Sequence, residues 1–111
     1  MCHSLTPLVL HASRRKVLRC SCGSLHVVWD NLNLSLTPEE FTGLRGVVMH
    51  GKSVQDSVAD QWHLHHGTSG MGLWYGPLGT TFSPPDFAAF VSLISAVGAA
   101  PSRQPHLYAL N

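Results

Sequence analysis

Apolar and polar residues alternate along Leu32, Asn33, Leu34, Ser35 and Leu36. This period of two is the mark of a half-buried strand. The pattern then changes to helical spacing, with Phe41, Leu44 and Val48 on one face. Between them stands Thr37-Pro38-Glu39-Glu40, an N-cap hydroxyl, a proline at the first helical position and an acid at the third. Those residues fit a capping box and predict a helix start. The same events recur downstream. Leu78, Thr80 and Phe82 alternate, Ser83-Pro84-Pro85-Asp86 repeats the start signal, and Phe87, Phe90, Val91, Ile94 and Val97 follow at helical spacing. Gly51 and Gly98 are the expected stops.

Moving residues 25–48 forward by 46 positions superimposes them on residues 71–94. Leu32/Leu78, Pro38/Pro84 and Phe41/Phe87 are identical, and Trp29/Tyr75, Leu36/Phe82, Thr37/Ser83, Glu40/Asp86, Leu44/Phe90 and Val48/Ile94 agree in character. A period of this length suits one supersecondary unit. Upstream of each alternating strand the pattern predicts a hairpin. Residues 17–22 and 25–29 flank Gly23-Ser24, and 62–68 and 71–75 flank Ser69-Gly70. Glycine first in a two-residue loop suits a type II′ turn. Stretches 5–11 and 53–58 are candidates for a further strand in each unit. Gly43 and Gly46 match Ala89 and Ser92, which predicts a close approach by the other helix or by a second chain.

The expected fold is α+β: an internal duplication of a β-hairpin–strand–helix unit, βββα or ββββα. Its antiparallel sheet carries two helices on the face of Leu25, Val27, Leu32, Leu34 and Leu36. Residues 1–111 read as a single domain, with repeat 1 at about 5–50, repeat 2 at about 53–98 and a tail over 99–111. In that tail 101–105 reads as a linker and 106–110 as an edge strand.

Composition adds a partner to this picture. Charged residues are 12% of the chain, roughly half the usual share of about 25%. With 44% hydrophobic residues, some surface is expected to be covered, and a homodimer is the simplest cover. The formal net charge of +1 gives no global attraction to nucleic acid or acidic membranes. Arg14, Arg15, Lys16 and Arg19 form the local exception. The longest apolar tract, 87–100, is broken by Ser92, Ser95 and Gly98 and is too short to span a bilayer. The run LTPLVL precedes Arg-Arg-Lys, the reverse of a signal peptide. A cytoplasmic protein with no membrane partner is expected. The odd number of cysteines, Cys2, Cys20 and Cys22, argues against a disulfide framework.

Three constellations offer chemistry. Cys20 and Cys22, two apart on a strand, would point to one face and supply half of a tetrahedral zinc site. Cys2 and His3 are the best candidates to complete it, with His26 and His66 as alternates. The competing reading places Cys20 opposite Val27 and Cys22 opposite Leu25 as small core hydrophobes. Next comes Trp62-His63-Leu64-His65-His66, where His63 and His65 share a face as a pair able to ligate zinc, copper or nickel, or simply as solvated imidazoles. Last is an aromatic and basic set: Arg14, Arg15, Lys16 and Arg19 near the first hairpin, with Trp74 pointing away from the core-facing residues. Aromatic faces stack bases and basic groups hold the backbone of single strands. No nucleophile elbow or phosphate loop is present, and the glycine-rich stretch 67–79 lacks a lysine. The expected function is therefore non-enzymatic.

Two resemblances follow. The run CSCGSLHVVWDNLNLSLTPEEF resembles the N-terminal half of small uncharacterised bacterial proteins with closely spaced cysteines, an N-L-x-L-x-L strand and an E-E-F helix start. It covers residues 2–48 well and the second half loosely, and it implies no function. The order of elements resembles PUR and whirly-type single-stranded nucleic-acid binders, which pack two β-α units around a pseudo-two-fold axis and often dimerise. The leading expectation is a small binding protein with a Cys/His zinc site of structural or sensing role. A single-stranded nucleic-acid-binding module is the alternative, and a dimeric scaffold without ligand is the third.

Overall fold

A computed structural model of the chain describes residues 4–51, 57–59, 61–68 and 70–97. Four strands, β1 (Leu5–Ala12), β2 (Arg15–Cys20), β3 (Leu25–Trp29) and β4 (Leu32–Leu36), lead into helix α1 (Pro38–Gly51). Four more, β5 (Ser57–Ala59), β6 (Trp62–His66), β7 (Met71–Tyr75) and β8 (Leu78–Phe82), lead into α2 (Pro84–Val97). The class is α+β, and the order ββββα occurs twice. The strands are divided between two antiparallel sheets, β1-β2-β3-β4 and β5-β6-β7-β8, each a meander in chain order. Gly98, the tail over 99–111 and most of 53–58 lie outside the described residues.

Both helix starts are where the pattern places them. Ser83 Oγ accepts a hydrogen bond from the Asp86 N–H at 3.3 Å, and the Ser83 carbonyl accepts from Phe87 N–H at 2.8 Å. Serine thus satisfies an N–H that has no partner inside the helix. In α1 the buried residues are Phe41, Leu44, Val47, Val48 and Gly51. In α2 Leu93 is buried while Val91 is only half-buried. Around Gly46 an added Cβ would meet nothing within 4 Å, so the close approach expected there is not made among the described residues.

Contacts divide the chain into two units whose borders cut through both helices rather than falling between the repeats. One unit holds the described residues up to Glu39 and those from Leu93 on; the other is Glu40–Ser92. In the second unit the body of α1 lies with β5–β8. Its first turn is tied down by two aromatic side chains. Trp62 Nε1 donates to the Glu40 carbonyl at 2.9 Å, and the Tyr75 hydroxyl donates to Glu40 Oε2 at 2.7 Å. The two rings pack with centroids 4.5 Å apart. At the other end His66 Nε2 lies 2.8 Å from the Gly51 carbonyl. That carbonyl can only accept, so Nε2 carries the proton and donates. Glu40 therefore does more than its place in a capping box implies. Phe82 adds ring contacts to Phe87 and Phe90, with centroids 6.0 and 4.8 Å away.

In the first unit Val17 and Val27 are fully buried, beside Leu25, Trp29 and Leu36. The register differs from expectation at the first hairpin. Arg19 pairs with Leu25 and Val17 with Val27, while Cys20 pairs with Leu5 of β1. The turn is not a two-residue loop at Gly23-Ser24. Cys20 N–H donates to the Ser24 carbonyl at 2.8 Å, Gly23 N–H donates to the Cys20 carbonyl at 2.9 Å, and Gly23 takes φ 100°. The register is shifted by three residues from Cys20 opposite Val27 to Val17 opposite Val27, and any odd shift sends every side chain to the other face. Cys20 is thus opposite the face of Val17 and Val27, and Cys22 lies in the loop beyond the strand. The second hairpin pairs His66 with Met71, so the register partner of His66 is Arg19 rather than Cys20.

Trp62→Phe keeps most of the buried ring and removes the bond to Glu40. It should lower unfolding stability by about 1 kcal/mol. Trp62→Ala also empties the site and should cost about 3–5 kcal/mol. Urea unfolding of the two variants gives the comparison. Equal losses would mean that the Glu40 bond contributes nothing.

Candidate binding face of the second sheet

Strand alternation sorts β6 and β7 into two faces. Trp62, Leu64, Met71 and Leu73 are buried, while His63, His65 and Trp74 are exposed. Trp74 is 44% exposed, whereas Trp29 and Trp62 are 6% and 2% exposed. Its setting is specific. In register, Trp74 stands between His63 on β6 and Gly79 on β8, and Gly72 stands between His65 and Thr81. A Cβ on Gly79 would collide with the indole ring, and one on Gly72 would come within 3.2 Å of Trp74 Nε1. The indole therefore lies along the sheet across two positions that have no side chain. Glycine weakens a strand interior and often marks a close approach; here the approaching group is an aromatic ring. Beside it is an open groove of about 440 Å³, lined among others by His65, Gly72, Trp74, Thr81, Phe82 and Ser83. That volume is within the usual range of small-ligand sites, about 300–1,000 Å³.

The seat of Trp74 was missed in reading the chain, although its signal was present. Once Gly76-Pro77 is taken as a two-residue turn, Gly79 falls opposite Trp74, and Gly76 indeed takes φ 57°.

Among the described residues the structure does not gather the proposed zinc ligands. Cys2 and His3 lie outside the described residues. Cys20 is buried and disulfide-bonded, and while that bond holds it has no thiolate to give a metal. Cys22 is free and exposed. His26 sits on β3, half-buried, between Leu18 and Ser35. His66 is engaged with α1 as described above. Among the described residues no three His, Cys, Asp or Glu side chains gather as metal ligands.

The basic set also separates. Arg15 Nε and Nη2 donate to the two carboxylate oxygens of Asp30 at 3.0 and 3.1 Å, and the guanidinium lies 4.0 Å from the Trp29 ring centroid. Arg15 thus braces the β3–β4 turn. Asp30 there takes φ 54°, and its N–H donates to the Arg14 carbonyl at 2.7 Å. Lys16 and Arg19 are half-buried and Arg14 is exposed. All four belong to the first unit, and Trp74 belongs to the second.

No protein-family model, curated protein or solved structure matches the chain. Among the described residues no helix is long and apolar enough to cross a membrane.

Two titrating groups give measurable consequences. The Cys22 thiol donates to Ser24 Oγ at 3.3 Å. In the thiolate form the Ser24 hydroxyl and backbone would donate instead, and they lower the Cys22 pKa from its ordinary value. Cys22 should therefore react readily with iodoacetamide near neutral pH, and Ser24→Ala should slow it. An unchanged rate would show that Ser24 does not activate the thiol. Asp30 is lowered mainly by the hydrogen bond from Arg15. A depressed carboxylate stabilises the fold above its unfolded pKa and loses that contribution as pH falls through the folded one. The stability gap between the wild type and Asp30→Asn should thus be full above about pH 5 and close in acid. A gap that does not change with pH would contradict this.

Proposed function

We propose that the protein is a non-enzymatic binding module that takes single-stranded nucleic acid on the solvent face of β5–β8. The observation behind this reading is the seat of Trp74, an exposed indole laid over Gly72 and Gly79 with His63 and His65 beside it. Every base has a π-face, so a flat exposed aromatic ring recognises single strands without needing sequence. A duplex hides those faces in its stack. The element order, ββββα twice, is the feature on which the resemblance to PUR and whirly-type binders rests. Arg14, Arg15, Lys16 and Arg19 belong to the other unit and have no part in this face. With a net charge of only +1, the phosphate contribution is small and stacking dominates.

Anisotropy of fluorescein-labelled oligothymidine and oligoadenosine tests the reading. Trp74→Ala should weaken binding about five- to a hundredfold, since stacking is worth about 1–3 kcal/mol per base. The plot of log affinity against log salt should be shallow, about −2 or less steep, at about −0.7 per phosphate neutralised. Duplex of the same sequence should not compete. Absence of binding by the folded wild type, or equal binding by Trp74→Ala, would overturn the proposal.

A homodimer is the second reading, favoured by Leu5 and Leu10, which are 48% and 65% exposed on the edge strand β1. Edge strands with exposed apolar residues are ready templates for another chain. Sedimentation should then show a concentration-dependent dimer that Leu10→Lys weakens; a monomer at all concentrations would exclude it.

A further inference from the structure

We infer that His63 and His65 form a two-imidazole chelate for a late first-row divalent ion, with Cu²⁺ held most tightly. The two residues are i and i+2 on β6, both exposed on the same sheet face. At about 3.3–3.4 Å per residue their backbones are about 6.7 Å apart along the strand. Metal–nitrogen bonds are about 2.0–2.1 Å, so the two coordinating nitrogens must close to about 3 Å. Metal binding would draw the two rings toward one another over that span, since both stand on one face of one strand.

What lies opposite sets the surroundings of the ion. His65 faces Gly72, which has no side chain, and His63 faces Trp74 and Val58. The Trp74 indole lies over Gly72 with Nε1 nearest to it, so an ion held by the two imidazoles would sit beside the ring. An ion held by the two imidazoles would keep open positions for water or for a ligand in the adjoining groove. Imidazole suits Cu²⁺, Ni²⁺ and Zn²⁺, and affinity rises from Ni²⁺ to Cu²⁺ and falls again at Zn²⁺. The pair is separate from the Cys2, His3, Cys20 and Cys22 set and does not depend on nucleic acid binding to Trp74.

Trp74 supplies the readout. The other two tryptophans are buried, so emission quenched by an ion at this site comes from the exposed indole. The experiment titrates CuCl₂, and separately NiCl₂ and ZnCl₂, into the whole chain carrying Cys22→Ser, which removes the exposed competing thiol. Isothermal calorimetry and tryptophan emission are recorded together. The expected result is one Cu²⁺ per chain with quenching, and weaker binding of Ni²⁺ and Zn²⁺. His63→Ala and His65→Ala should each weaken Cu²⁺ more than about tenfold, or about 1.4 kcal/mol. Trp74→Phe should keep the heat of binding and lose the quenching. Binding by either histidine variant as tight as by the parent would overturn the proposal and place the ion elsewhere. Absence of Cu²⁺ binding by the folded parent would also overturn it. Neither outcome bears on oligonucleotide binding.

Discussion

The structure of the second unit depends on how α1 is held to β5–β8. Glu40 is gripped at its carbonyl by Trp62 and at its carboxylate by Tyr75. Gly51, at the far end, is gripped by His66. Three side chains from two neighbouring strands thus hold both termini of a helix that arrives from another meander. Helix ends carry polar groups without internal partners, and burying them unpaired is costly. His66 satisfies one such group, the Gly51 carbonyl, and the two bonds accepted by Glu40 set the position of the first turn along the sheet. Phe41, Leu44, Val47 and Val48 supply the apolar burial; the polar contacts select where it happens.

That arrangement determines which face is left for a ligand. Strand side chains alternate, so recruiting Trp62, Leu64, Met71 and Leu73 to the core sends His63, His65 and Trp74 to the opposite face. The large indole there packs on the sheet itself. Gly72 and Gly79 provide that surface, and the ring lies flat instead of standing in water. Flatness suits the indole to the proposed stacking, and the imidazoles alongside would add donors. One alternation thus separates the core face from the proposed binding face.

Much of this was legible in the chain. Both helix starts came from Thr37-Pro38-Glu39-Glu40 and Ser83-Pro84-Pro85-Asp86, since capping and proline act locally. The alternation of Leu32–Leu36 and its counterpart located the last strand of each meander. The first hairpin was less legible because Gly23-Ser24 offers an acceptable short turn. Pairing Arg19 with Leu25 instead puts Val17 in the core and leaves Leu18 opposite His26. That preference comes from packing, not from the turn residues. It also left Cys22 in the loop beyond the strand, with its N–H 3.5 Å from Cys20 Sγ, instead of on one strand face with Cys20 as the zinc reading supposed. Nor could local pattern show that α1 would join the following sheet. That choice depends on Trp62, Tyr75 and His66 reaching residues 15 to 35 positions away. The seat of Trp74 was within reach of reasoning, but only after the register of β7 and β8 was known.

The three indoles differ in environment: two are buried, and one is open on its own glycine seat. Their Nε1–H signals in a ¹⁵N–¹H correlation spectrum can be followed as a short single-stranded oligonucleotide is added. The Trp74 signal should shift or broaden while those of Trp29 and Trp62 hold their positions. Three unmoved signals at saturating oligonucleotide, or movement of the buried pair without Trp74, would contradict the proposed stacking on Trp74.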